Sequence, residues 1–136
     1  MASVSKSLKD RIRKRASNCC EKCGTKIVRT KAGSHNGSIH HRKPQRLGGK
    51  DTISNCVLVC MNCHRDIHRN ELAASLLGWI VWSDPDVCPV LRATRRATSG
   101  WVLLVPDGGL EYLSHPEGER LCLFVSSGLN AYLQGA

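Results

Sequence analysis

The stretch that decides the fold is Cys60-Met61-Asn62-Cys63-His64-Arg65-Asp66-Ile67-His68, in which a CxxC pair runs directly into a predicted helix. A second CxxC pair, Cys20 and Cys23, lies well upstream. A CxxC turn brings two thiolates to one side of the chain, so two pairs supply the four soft ligands that a closed structural zinc site prefers. The sequence therefore predicts a zinc site formed by Cys20, Cys23, Cys60 and Cys63.

Two histidines of the predicted helix and a histidine doublet further upstream are candidates for a second, open site. Positions four residues apart share one face of a helix, so His64 and His68 should project together. Because Cys63 falls in the first turn, the zinc would fix the direction of both rings. The doublet His40-His41 lies on a predicted strand, where adjacent side chains point to opposite faces. The two rings are therefore expected to have different roles.

The order His40-His41, Asn55, His64 and His68, flanked by the two zinc-knuckle pairs, resembles the His-Asn-His (HNH) endonucleases of the ββα-metal, or treble-clef, fold. The resemblance covers about residues 17 to 70. It implies an α+β protein with an HNH core and a structural zinc. To this core the chain adds a predicted basic helix at the N-terminus and a β-hairpin extension at the C-terminus.

The resemblance also implies a role for each residue of the site. His41 corresponds to the general base and Asn55 to the middle asparagine, whose amide can tie the connecting loop to the strand and hold His41 in place. His40, His64 and His68 correspond to ligands of a catalytic divalent metal. The implied reaction is hydrolysis of a DNA phosphodiester to 5′-phosphate and 3′-hydroxyl ends. The metal stabilises the phosphate and the departing oxygen while neutral His41 takes a proton from water.

The ligand set leaves the identity of the catalytic ion open. Imidazole ligands favour Zn²⁺, Ni²⁺ or Mn²⁺ over the harder Mg²⁺. The structural site is assigned to zinc, and the catalytic site is expected to take Mg²⁺, Mn²⁺, Ni²⁺ or Zn²⁺.

The charge of the chain is unevenly distributed. The net charge is +9, and residues 1–70 hold sixteen Lys and Arg against four Asp and Glu, whereas residues 71–136 hold four against seven. Such a basic half predicts contact with a polyanion, here mainly with DNA phosphates because aromatic residues are few. The predicted DNA contacts are Arg42, Lys43, Arg46, Lys50, Arg65, Arg69, Arg11, Lys14 and Arg15.

Local patterns predict the remaining elements. Leu8, Ile12 and Ala16 recur at helical spacing behind a Ser5 or Ser7 cap, and strands are expected at 38–42 and 52–59. Asn70 should cap a helix over 71–77 that Gly78 ends. The tail should contain strands at 79–82 and 87–91 that pair together, a hairpin over 101–113 and a last strand at 121–125. The tryptophans of the tail are expected to lie in the core, and Arg92, Arg95 and Arg96 in a basic loop.

Residues 70–113 contain a predicted helix ending at Gly78-Trp79, an Asp84-Pro85 turn, a Pro89-Val90-Leu91 strand and a final hairpin that starts at Trp101-Val102-Leu103-Leu104. This layout resembles the tail of small HNH proteins from tailed bacteriophages of actinobacteria. This resemblance implies a role in genome packaging beside the phage terminase. At 136 residues the chain is expected to be a single domain overall, with the helix and nuclease core in 1–70 and a helix and β-rich extension in 71–136. The start of the chain lacks the apolar run of a signal peptide, and no segment reaches membrane-spanning length, which predicts a reducing cytoplasm, that of the host for a phage protein.

Two other classes of protein share some of these features. A non-catalytic zinc-knuckle module that binds DNA would need the four cysteines but not the histidines and Asn55. A zinc-stabilised protein-interaction domain, such as a terminase accessory, would bind DNA weakly and without steep salt dependence.

Overall fold

The computed structural model describes residues 4–28, 36–94 and 98–135, with side chains of the last segment described as far as residue 125. In chain order the elements are α1 (Lys6–Ala16), β1 (Gly37–His41), a 3-10 turn (Gln45–Leu47), β2 (Cys56–Cys60), α2 (Met61–Arg69), α3 (Glu71–Ser75), β3 (Val90–Ala93), β4 (Ser99–Leu104), β5 (Leu110–Tyr112) and α4 (His115–Gly135). Arg95 and Arg96 lie outside the described residues.

The centre of the molecule is a ββα unit. Strands β1 and β2 are antiparallel, with His40 opposite Val57 and His41 opposite Cys56. Helix α2 follows β2 without a loop, because the Cys60 thiol caps it by accepting the Cys63 N–H at 3.4 Å. The α+β class and the ββα core are thus confirmed. The second strand begins later than predicted, since the backbone N–H of Cys56 bonds back to the Thr52 carbonyl in a turn.

Helix α1 packs its apolar face on the side of the hairpin that carries Cys56 and Leu58. The Ser5 hydroxyl caps the helix by accepting the Leu8 N–H, as predicted. Leu8, Ile12 and Ala16 are buried in a cluster with residues of the turn and of β2, including Leu58. The amphipathic prediction is confirmed.

The prediction that Arg15 contacts DNA is wrong. Its guanidinium pairs with both carboxylate oxygens of Glu21, at 2.8 and 2.9 Å, and donates to the carbonyls of Ile53 and Cys56. Arg92 donates to the same buried carboxylate at 3.0 Å. These contacts join α1, the first knuckle and β3. The charge of Arg15 is therefore paired with Glu21 inside the protein.

The prediction that Arg42 contacts DNA is also wrong, because Arg42 is fully buried. Its guanidinium donates to four carbonyls that come from separate segments of the chain. The distances are 2.8 Å to Gly78, 3.1 Å to Ser54, 3.3 Å to Pro85 and 2.6 Å to Cys88. Arg42 therefore fastens the tail to the ββα unit.

We expect Arg42→Gln to lower the free energy of unfolding by at least about 3 kcal/mol, because several buried carbonyls lose their donor. Chemical denaturation measures this. Lys43→Gln, at the adjacent and half-exposed position, is the matched control and should change stability by about 0.5 kcal/mol at most. An Arg42→Gln protein of normal stability but weakened DNA binding would contradict this assignment.

The tail differs from the prediction in how its strands pair. β3, β4 and β5 form an antiparallel sheet in that order, so the predicted hairpin is confirmed, but β3 pairs with β4 and not with residues 79–82. The predicted strand at 79–82 is wrong. Trp79, Ile80 and Val81 are buried, and the backbone groups of this segment serve other partners: the Val81 N–H bonds the Arg42 carbonyl.

The predicted last strand at 121–125 is wrong, because these residues belong to α4. Ser114 and Glu117 form a capping box, in which the Glu117 N–H bonds the Ser114 hydroxyl at 3.3 Å and the Ser114 N–H bonds the Glu117 carboxylate at 3.2 Å. Pro116 fits the first turn, where no N–H partner is needed. A Cβ atom at Gly118 would lie 2.2 Å from the Trp101 ring, so glycine permits α4 to pack against β4.

Within its described residues, the chain contains no helix long and apolar enough to cross a membrane. The helix after Asn70 is confirmed, with the Asn70 side chain accepting the Ala73 N–H. The helix ends earlier than predicted, at Ser75, and residues 76–78 form a turn in which Gly78 has a φ of +82°. Trp79 and Trp101 are buried, as expected for core anchors.

Candidate active site and structural metal centre

Four cysteines from two knuckles meet beside β2. The sulfur atoms of Cys20, Cys23, Cys60 and Cys63 lie within 4.8 Å of one another, and those of Cys23 and Cys60 are 3.9 Å apart. Two sulfurs that share a tetrahedral zinc ion at about 2.3 Å are separated by about 3.8 Å. Cys19 lies outside this cluster. The donor set and its spacing therefore fit a closed structural zinc site.

The thiol pKa values show why this cluster suits a cation. Burial raises the pKa of Cys20 and Cys63. At Cys23 burial acts in the same direction, but contacts with Thr25 and with neighbouring thiols outweigh it and lower the pKa to about 7. Four thiolates this close, three of them buried, need a positive charge between them.

Three imidazoles form a second cluster. His40 projects from β1, and His64 and His68 project from one face of α2, with ring centroids 4.8 to 5.3 Å apart. One ring nitrogen from each lies within 4.8 Å of the others. The helix pair that the spacing predicted and the strand histidine that the resemblance implied are thus brought together, and His40 is the most buried of them.

Hydrogen bonds to groups outside the cluster set the tautomers of two of the rings. The Nε2–H of His40 donates to the Trp79 carbonyl at 2.7 Å, which leaves Nδ1 as its lone-pair nitrogen. The Nδ1–H of His68 donates to the Glu71 carboxylate at 3.0 Å, which leaves Nε2. A histidine whose other nitrogen donates to a carbonyl or a carboxylate is typical of metal sites. Sequence reasoning identified neither partner.

The cluster also has the charge state and spacing of a cation site. Burial, opposed in part by the Trp79 hydrogen bond, lowers the pKa of His40 to about 3, so this ring is neutral at pH 7. Burial and His68 lower the pKa of His64 as well. The Nε2 atoms of His64 and His68 are 3.1 Å apart, close to the separation of about 3.4 Å for two nitrogens on one tetrahedral ion. These residues fit a divalent cation.

Glu71 is expected to act as a positioning residue for His68. We expect Glu71→Gln to weaken divalent-cation binding at the histidine cluster about 10- to 100-fold, because a neutral amide orients the ring less firmly. Titration calorimetry with Mn²⁺ on zinc-loaded protein measures this.

Glu71 also pairs with Arg46 at 3.0 Å. Arg46→Gln is therefore the matched control, because it breaks the same ion pair and leaves the contact with His68. An equal fall in cation affinity in both variants would contradict the role of Glu71.

His41 lies apart from the three-histidine cluster, with its ring contacting the loop that precedes β2. Its Nε2 is 2.7 Å from Oδ1 of Asp51, and the side chains of His41 and Asp51 are 17% and 36% exposed. Since an ionised carboxylate only accepts hydrogen bonds, the imidazole donates through Nε2 and keeps a lone pair on Nδ1. Sequence reasoning missed Asp51 because this residue stands inside a basic loop.

Asn55 is buried and holds the loop between β1 and β2 closed. Its Oδ1 accepts the Lys43 N–H at 2.7 Å, and its Nδ2 donates to the carbonyls of Lys43 and Lys50 at 3.2 and 3.0 Å. The predicted tie between loop and strand is confirmed. The described hydrogen bonds of the Asn55 side chain go to backbone atoms of this loop, among them the Lys50 carbonyl next to Asp51.

The remaining basic residues predicted to contact DNA have exposed or half-exposed positions. Arg46 is 58% exposed while paired with Glu71. Arg69 and Asp66 are 3.7 Å apart and both exposed. The positions that remain available to a phosphate are Lys43, Arg46, Lys50, Arg65, Arg69, Arg11 and Lys14.

Known proteins match the part of the chain that contains these sites. The chain is 39% identical over 59 residues to the type IV methyl-directed restriction enzyme EcoKMcrA of Escherichia coli, which is 43% of this chain and 21% of that protein. It is 38% identical over 66 residues to the mitochondrial DNA mismatch repair protein mutS homolog of Sarcophyton glaucum, 44% of this chain and 6% of that protein.

The chain thus spans about a fifth of the length of the first of these relatives and less of the second. The family model described as HNH endonuclease matches residues 20–70, the range that contains the four-cysteine cluster, the three-histidine cluster and His41. Residues 20–70 therefore form a domain of the HNH endonuclease family.

Proposed function

We propose that the protein is a metal-dependent endonuclease that hydrolyses DNA phosphodiester bonds. The observation that carries the proposal is the arrangement of four imidazoles in the ββα unit. Three of them, His40, His64 and His68, each bring one ring nitrogen within 4.8 Å of the others, and the fourth, His41, is hydrogen-bonded to a carboxylate. A zinc-knuckle module that only binds DNA has no need of this arrangement.

In the proposed mechanism His41 is the general base. Its Nε2–H donates to Asp51, which holds the ring in one tautomer, so Nδ1 accepts the proton of the attacking water. Asn55 keeps the loop that carries Asp51 in place. His40, His64 and His68 would hold a divalent cation, whose chemistry is Lewis-acid stabilisation of the phosphate. The burial of His40 keeps this ligand neutral at working pH.

A plasmid assay tests this proposal. Purified protein with Mg²⁺, Mn²⁺, Ni²⁺ or Zn²⁺ should convert supercoiled plasmid to nicked or linear DNA with 5′-phosphate and 3′-hydroxyl ends, and a chelator should stop the reaction. DNA binding without cleavage at any of these ions would contradict the proposal and support the zinc-knuckle binding module.

DNA is proposed to bind mainly through its phosphates, at the basic positions that remain exposed. Removing one side chain that binds a phosphate should reduce the slope of log K against log salt by about 1. We expect this for Lys50→Gln and not for Arg15→Gln, which serves as the buried control. Salt-insensitive DNA binding would instead support the protein-interaction class.

Two biological settings are proposed, and each rests on one similarity. The resemblance of residues 70–113 to phage proteins supports a packaging nuclease that acts in the host cytoplasm with terminase. Similarity to a methyl-directed restriction enzyme supports cleavage of modified DNA. Two comparisons distinguish these settings. Preferential cleavage of methylated over unmethylated plasmid would support the restriction setting. Faster cleavage of either plasmid when purified terminase is added would support the packaging setting.

A further inference from the structure

A third group of potential ligands, separate from the three-histidine cluster, lies where β1 ends at His41. His41 and Cys56 are direct cross-strand partners, which places their side chains on the same face. Asp51, in the loop between the two strands, points to the same place. One ligand atom from each of the three lies within 4.8 Å of the others.

The three donors form a mixed set, with one imidazole nitrogen, one carboxylate oxygen and one sulfur. Sulfur and nitrogen together select borderline-soft ions such as Zn²⁺ over Mg²⁺. Cys56 is fully buried while His41 and Asp51 are partly exposed, so an ion would have protein on one side and an open position towards solvent. This is the coordination pattern of zinc sites with three protein ligands and one water.

We propose that His41, Asp51 and Cys56 form an inhibitory zinc site, distinct from both the four-cysteine cluster and the three-histidine cluster. The inhibitory effect rests on the proposed function, because it depends on His41 being the base. A metal that occupies one ring nitrogen of a neutral imidazole leaves the single proton on the other. No basic nitrogen then remains to accept a proton from water.

The environment of Cys56 makes occupancy depend on the free zinc concentration. The S–H of the buried Cys56 donates to the Lys50 carbonyl at 3.9 Å. An incoming ion must therefore displace this proton, and binding is weaker than at a site with preformed thiolates. The site should be vacant at low free zinc and filled when zinc is in excess.

The first experiment measures DNA cleavage supported by Mn²⁺ while free Zn²⁺ is raised, with each variant normalised to its own zinc-free rate. The wild type should be inhibited. Cys56→Ala and Cys56→Ser should need at least about tenfold more zinc for the same inhibition. Cys19→Ala is the matched control and should behave as the wild type, because Cys19 lies outside all three ligand groups. Equal inhibition of all variants would overturn the proposal.

The second experiment does not depend on activity. Co²⁺ is added to protein whose structural site is already filled with zinc, and thiolate-to-cobalt charge transfer is recorded. The wild type and Cys19→Ala should show one new thiolate band that both Cys56 variants lack. Absence of the band in the wild type would overturn the site. A band in a protein that does not cut DNA would support the site and overturn the proposed function instead, so the two failures are distinguishable. Thermal unfolding shows whether the Cys56 variants are folded.

Discussion

Replacing His41 with alanine is expected to lower the rate of DNA cleavage by about 100- to 10,000-fold, the usual contribution of a general base. The reason is local. His41 contacts Asp51 and is not among the three histidines whose nitrogens converge, so the substitution removes the proton acceptor and leaves the cation ligands in place. Single-turnover cleavage of supercoiled plasmid, with protein in excess, measures the chemical step.

The control for this prediction is the binding behaviour of the same variant. His41→Ala should retain the zinc of its four-cysteine cluster, its thermal unfolding temperature and its affinity for uncleaved DNA in the presence of Ca²⁺. His64→Ala should differ, because it removes a proposed cation ligand and should lower cation affinity together with the rate. If His41→Ala cut DNA as fast as the wild type, the base assignment would be wrong.

The parts of the site that can be predicted from the sequence are those fixed by local spacing. Two CxxC pairs and two histidines four residues apart constrain their own geometry, whatever the rest of the chain does. The convergence of His40 with the helix pair also follows once the hairpin is predicted. His40 lies on β1, which pairs with β2, and β2 joins α2 directly at Cys60.

The parts that cannot be predicted from the sequence depend on residues far apart in the chain. Arg42 stands in a basic run and looks like a surface residue. Its burial is compensated by carbonyls of Gly78, Pro85 and Cys88, which only the folded tail brings near. The Trp79 carbonyl that orients His40 depends on the same tail, because its segment lies against the ββα unit instead of forming the predicted strand.

The error at α4 has a different physical origin. The apolar residues at 121–125 have no decisive period, so the prediction of a strand rests on their composition. The capping box of Ser114 and Glu117 is a stronger local signal, because it satisfies two N–H groups at the start of a helix. Close packing of Gly118 on Trp101 then fixes the helix on the sheet.

Removal of one structural ligand is expected to unfold the protein rather than to inactivate it. Cys60→Ala removes a donor of the four-cysteine cluster and also the thiol that caps α2. Structural zinc binding is worth about 10 to 16 kcal/mol in small zinc domains, which equals or exceeds the total stability of a typical domain. The three cysteines that remain would be brought together without enough ligands to close the site, and α2 would lose the anchor that directs His64 and His68.

We therefore expect Cys60→Ala to lose bound zinc and the cooperative thermal transition, measured by a chelating dye and by circular dichroism. Cys19→Ala, one residue before Cys20, should change stability by about 1 kcal/mol at most. A Cys60→Ala protein that kept its zinc and unfolded at the wild-type temperature would show that the cluster does not stabilise the fold.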